Sequence, residues 1–309
     1  MDVRLDASTA EEASAPARGF DPEARRFAVG ATALVIAAAL GVFAPILYYL
    51  VLHWKQVPDY SHGFLVGPLA IYFAWERRED LERTPIEPSW WGVVPLALGA
   101  LALAIGRLGV ELMAMRTAFV LTLIGLVLLL LGRRIARVLA FPLLFLFMMI
   151  PLPQSLVNTV TFPLQLIASD LAMTPLYWLK IPALREGNII HLAGTQLLVA
   201  KACSGLRSVM ALGTLGVVFA YFFRKNIIER IVIVLSTLPI AILVNAFRVA
   251  LTGYLTHRFG EAAAEGLIHQ TEGFFTFGLA FGLLLVEAWL LKKLWPKSWR
   301  RSRRGGVPA

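Results

Sequence analysis

The chain has 309 residues, 58% of them hydrophobic and 16% charged, with a formal charge of +9, one cysteine and a mean hydropathy of +0.70. So apolar a composition excludes an ordinary soluble domain, and several runs are long enough to cross a bilayer. The Lys and Arg residues stand in short clusters at the ends of those runs, so the charge sets orientation and is not the footprint of a nucleic-acid partner.

From the N-terminus, residues 1–26 are polar, mixed in charge and rich in Ala, Glu and Ser, which predicts a disordered cytoplasmic leader. No short apolar region with a small-residue cleavage site follows, so the first apolar run reads as a retained signal anchor. Hydropathy predicts spans at 27–52, 63–75, 91–105, 117–131, 135–150, 204–223, 227–251 and 274–291. The expected fold is an all-α polytopic membrane protein of about eight transmembrane helices filling residues 27–291, with a basic cytoplasmic tail over 292–309.

Basic clusters fix the orientation. Arg25 and Arg26 precede the first span, Arg77, Arg78 and Arg83 follow the second, and Arg133, Arg134 and Arg137 mark the junction of the fourth and fifth. Arg224, Lys225 and Arg230 lie between the sixth and seventh, and the tail runs from Lys292 to Arg304. All fall on one side when the spans number eight, which puts both termini in the cytoplasm and segments 53–62, 107–116, 151–203 and 253–273 outside. The outward set then holds every histidine (His53, His62, His191, His257, His269) together with Cys203.

The longest outward segment, 151–202, is apolar but interrupted by Pro151, Pro153, Pro163, Pro175 and Pro182, with Asn158, Gln165 and Ser169 at near-helical spacing. That pattern predicts helices lying in the interface rather than crossing it. Residues 185–202 then read as a small hairpin around Ala193-Gly194, leading into the cysteine.

Cys203 stands in Lys201-Ala202-Cys203-Ser204-Gly205-Leu206-Arg207-Ser208, where a polar segment turns into an apolar helix. A free thiol has a pKa of about 8.5, and a helix N-terminus opened by Ser204 would favour the thiolate. A lone cysteine in a helical membrane protein is ordinarily a small packing residue; an outward helix start between polar residues favours chemistry instead. Arg207, one turn on, is open between lowering the thiol pKa and pairing with a lipid phosphate. Arg248 lies in an apolar stretch near the outer end of the seventh span, with Asn245 and Thr252 sharing its helix face. Its two readings are a headgroup-snorkelling arginine and an interior donor for an oxyanion or thiolate. His269 in His269-Gln270-Thr271-Glu272-Gly273 has the intrinsic pKa of a general base, and Glu272 three residues on could orient its ring; a surface histidine without a role is the alternative. Gly278 and Gly282 form a small-xxx-small pair, expected as close helix packing.

The stretches Tyr60-Ser61-His62-Gly63-Phe64-Leu65-Val66, Arg185-Glu186-Gly187-Asn188-Ile189-Ile190, Ala202 to Ser208, Asn245-Ala246-Phe247-Arg248 and His269 to Gly273 together resemble the exosortases of the exosortase/archaeosortase family, from about Tyr60 to the end of the last span. The resemblance implies a multi-pass bacterial inner-membrane cysteine peptidase or transpeptidase with its active site on the periplasmic face. Its substrates would be exported proteins whose C-terminal sorting signal comprises a Pro-Glu-Pro-like motif, a transmembrane helix and a basic cluster. It places the nucleophile on Cys203, the arginine on Arg248 and the histidine on His269; His62, Ser204, Arg207, Asn245 and Glu272 are supporting candidates. Lys201 departs from the pattern, since similar sequences often carry glutamate two positions before the cysteine. The chain ends in a basic tail without the soluble domain of some longer members, which implies an acceptor or exopolysaccharide-assembly partner on a separate chain. Membrane lipids complete the expected partners, and no metal or cofactor is expected. Two other classes stay open on the residues alone: an integral membrane enzyme of exopolysaccharide or lipid-linked glycan assembly, which would not need the thiol, and a metal- or haem-binding protein, for which paired histidines are lacking.

Overall fold

The computed structural model describes residues 22–193, 195–199, 205–223, 226–260 and 267–294. The chain is an all-α polytopic membrane protein. Among the described residues six helices are long and apolar enough to cross a membrane. They are α1 (Pro22–Gln56), α4 (Val93–Leu108), α5 (Leu112–Leu130), α8 (Gln154–Trp178), α10 (Ile227–Phe259) and α11 (Leu267–Leu294). The other helices are α2 (Gly63–Glu76), α3 (Arg78–Arg83), α6 (Gly132–Val138), α7 (Ala140–Phe145) and α9 (Gly205–Phe223). The described elements divide into two compact units.

The first unit takes α1 up to Leu52 and then Leu65–Ile150. Its centre is the α4–α5 pair, joined by a short turn in which the Glu111 carboxylate caps α5 by accepting from Met113 N (3.1 Å) and Ala114 N (2.6 Å). A Cβ on Gly125 would stand 2.6 Å from Leu96 Cγ, so glycine there lets the two helices approach closely. Gly132, at φ +90°, opens α6 against the backbone of Glu87, where no side chain fits. Phe73 packs edge-on against Phe141 and Phe145 at ring separations of 5.0 and 5.3 Å. The single span expected at 135–150 is instead α6, α7 and a 3₁₀ turn over Leu146–Met149.

The second unit takes His53–Phe64 and the chain from Pro151 onward. Here α8 is one continuous 25-residue helix running through Pro163 and Pro175, long and apolar enough to cross a membrane, where the prolines predict helices lying in the interface rather than crossing it. Val157, Thr161, Ala168, Ala172 and Leu176 form one buried face, and packing of that face outweighs the backbone bonds lost at the prolines. Lys180, in the left-handed region at φ 56°, ends the helix and turns the chain into a three-stranded antiparallel sheet. Its strands are β1 (Ala183–Glu186), β2 (Ile189–Leu192) and β3 (Thr195–Leu198), one strand more than the expected hairpin. The registers pair Glu186 with Ile189 and Leu192 with Thr195, and a two-residue turn through Gly187 at φ 63° connects the first pair.

Helices α9, α10 and α11 share a core of Leu212, Ala241, Val244, Ala280 and Leu284. Ser236 on α10 donates to Glu287 Oε2 on α11 at 2.6 Å. Gly278 and Gly282 do not form the expected packing seam, for a Cβ on either would meet nothing within 4 Å.

Candidate active site

Every candidate site residue belongs to the chain segments of the second unit, including His62, whose segment His53–Phe64 leaves the first unit to join it. Cys203 and Ser204 lie outside the described residues. Arg207 on α9, and His269 and Glu272 on α11, fall where the backbone alone is described.

Arg248 lies on α10. It is 8% exposed, and Asn245 and Thr252 on the same helix face are buried with it. A snorkelling arginine would leave its guanidinium on the outer surface; this one is turned inward. Arg248 Nε and Asn245 Oδ1 have no hydrogen-bond partner among the described residues. The Thr252 hydroxyl donates to the Arg248 carbonyl at 2.9 Å, one turn along the same helix. A buried guanidinium and a buried amide oxygen with unused hydrogen-bonding capacity are costly, each on the order of 1–3 kcal/mol. That cost is what a site poised for an external polar group carries.

The neighbours of Arg248 on α10 are tied to the sheet. Val249 and Ala250 share a buried cluster with Ala172 and Leu176 of α8, Ile190 and Leu192 of β2, and Val199. Val199, fully buried, stands four residues before Cys203 in sequence. Its amide donates to Asn188 O at 3.0 Å, extending the sheet bonding past β3. One apolar cluster thus joins the turn of α10 that carries Arg248 to the strand that leads into the cysteine.

Two polar contacts that the sequence did not reveal hold the sheet on α8. Asn188 Nδ2 donates to Gln165 Oε1 at 3.2 Å, and Arg185 pairs with Asp170 at 3.2 Å. His191 sits in β2 with Nε2 3.2 Å from Glu186 Oε2. His62 is buried, with its ring 6.3 Å from that of Tyr60, which in turn lies 5.4 Å from His53. The turn reaches this position because Gly63 lets Trp54 lie flat on it; a Cβ there would fall 2.4 Å from the indole. The 3₁₀ turn Pro58–Tyr60 packs against α9, the helix that follows the cysteine in sequence.

Comparison with known proteins supplies the class: the family model described as Transmembrane exosortase (Exosortase_EpsH) matches residues 54–286. The chain belongs to the transmembrane exosortase family. No curated protein and no solved structure matches it.

Proposed function

We propose that the chain is a cysteine peptidase or transpeptidase of the bacterial inner membrane that removes the C-terminal sorting signal of exported proteins at the periplasmic face. The observation that carries this reading is the buried cluster joining Val199 to Val249 and Ala250. Val199 stands four residues before Cys203 in sequence, and four residues reach at most about 14 Å, so in this reading the thiol comes to Arg248 by way of that packed strand.

In this reading the substrate's own membrane helix brings its scissile peptide bond to the outer interface, so docking within the bilayer supplies much of the alignment. His269 takes the thiol proton as the Cys203 sulfur attacks the carbonyl carbon, and the Arg248 guanidinium donates to the developing oxyanion. The C–N bond then breaks, the proton returns to the leaving amine, and an acyl thioester remains on Cys203. An acceptor amine, or water, attacks the thioester and restores the thiol. Asn245, on the same helix face as Arg248, accepts a hydrogen bond from a substrate amide N–H through its unpartnered Oδ1.

The test is co-expression with an exported substrate bearing a sorting motif, a membrane helix and a basic cluster. Wild type shortens the substrate, and Cys203→Ala leaves it at full length. Shortening by Cys203→Ala would overturn cysteine catalysis, and a substrate left at full length by the wild type would favour an enzyme of glycan assembly, which needs no thiol.

A further inference from the structure

A cleft in the first unit lies far from all of this chemistry in sequence. It has a volume of about 560 Å³ and opens between the first turn of α1, helix α3 and the junction of α5 with α6. Most of its surface is apolar, from Val29, Leu131, Ile135 and Leu139, and the lining also includes Arg25, Arg26, Arg78 and one carboxylate, Glu82.

Two of the arginines are held in place. The Arg25 guanidinium donates to Thr84 O at 2.9 Å and to Leu81 O, capping the carbonyl end of α3. The Arg78 guanidinium lies over the Trp75 ring, 4.3 Å from its centroid. Arg26 is exposed and has neither a hydrogen bond nor an ion pair among the described residues. Three like charges in one cleft repel each other, so the arrangement gains from an anion that bridges them.

The cleft sits where apolar helices end. α1 begins there, α2 stops at Glu76 just before Arg78, and α5 stops at Leu130 just before Leu131. Ends of membrane-spanning helices stand at the membrane-water boundary. A phosphate group answers the arginines, and only one attached to acyl chains also answers the apolar lining.

We propose that this cleft binds an anionic glycerophospholipid, with the phosphate on Arg26 and Arg78 and an acyl chain along Val29, Ile135 and Leu139. Basic pockets between membrane helices are suited to such headgroups. The site is independent of the Cys203 reaction.

The test uses the full chain, purified in detergent and exchanged into bilayer discs of phosphatidylethanolamine with phosphatidylglycerol or cardiolipin, with bound lipid read by native mass spectrometry. Wild type retains the anionic lipid in preference to the zwitterionic one. The double variant Arg26→Gln/Arg78→Gln retains it roughly thirtyfold less well, the equivalent of about 2 kcal/mol for two basic contacts. The double variant Arg26→Lys/Arg78→Lys keeps the charge and most of the retention. Inorganic phosphate at millimolar concentration does not displace the lipid; displacement would mean a free-phosphate site and overturn the lipid assignment. Equal retention of both lipid classes by wild type would overturn it too, even if the glutamine variant fails to fold. Unchanged retention by a folded glutamine variant would do the same.

Discussion

Replacing Arg248 with methionine separates a catalytic arginine from a structural one because the two roles give stability changes of opposite sign. In the structure the guanidinium is buried, and its Nε and the adjacent Asn245 Oδ1 have no hydrogen-bond partner among the described residues. Methionine has similar length, fills most of the same volume and removes both the charge and the unsatisfied N–H. Relief of one orphaned donor is worth on the order of 1–3 kcal/mol, so Arg248→Met should match or exceed wild type in stability. At roughly 2–4 °C per kcal/mol for domains of 150–250 residues, Tm should hold or rise by a few degrees. Substrate processing should instead fall by about 10²–10³-fold, the usual loss when a donor to an oxyanion is removed. Tm would be followed by tryptophan fluorescence in bilayer discs, and processing by cleavage of a co-reconstituted sorting-signal substrate. An arginine held in a buried ion pair would behave oppositely, since breaking such a pair costs about 3–5 kcal/mol. A Tm drop of roughly 10 °C with processing retained would refute the reasoning.

Arg248→Lys keeps the charge but loses the planar fork of donors, so it should abolish processing while expression and insertion stay near normal, as should His269→Ala; wild-type cleavage by either variant, read on immunoblots, would remove that residue from the mechanism. Ile190→Ala, in the cluster that joins the sheet to α10, should cost about 2–5 kcal/mol and lower processing together with Tm, whereas Ile190→Val should cost about 0.5–1.5 kcal/mol and retain processing. In a Cys203→Ala background, Leu184→Cys on the exposed face of β1 should react with a membrane-impermeant maleimide added from the periplasmic side, and Trp299→Cys should not. The reverse labelling would invert the topology.

Most helices were legible because hydropathy and length suffice for a membrane span. The spans expected at 91–105 and 117–131 correspond to α4 and α5, and that at 227–251 lies within α10. The short apolar run from Gly63 was correctly delimited, as α2 ends one residue beyond the expected Trp75. Proline counting misled at α8, because the face carrying Val157, Ala168, Ala172 and Leu176 decides continuity, and its partners lie far away in sequence. Local helical spacing foretold that Asn245, Arg248 and Thr252 would share a face. It could not foretell the pairing of Gln165 with Asn188 or of Asp170 with Arg185, since contacts between a helix and a later strand leave no periodic trace. The link from Val199 to Val249 was hidden for the same reason.

The most direct measurement is capture of the acyl-enzyme. Wild-type protein incubated with a cognate membrane-anchored substrate, quenched in acid and analysed by intact-mass spectrometry should carry the mature substrate on Cys203, as an adduct that neutral hydroxylamine removes. Cys203→Ala should carry none, and Cys203→Ser should process poorly, because a hydroxyl is far less ionised than a thiol at neutral pH. Substrate cleavage by Cys203→Ala, or wild-type turnover without any hydroxylamine-sensitive adduct under trapping conditions, would contradict the account.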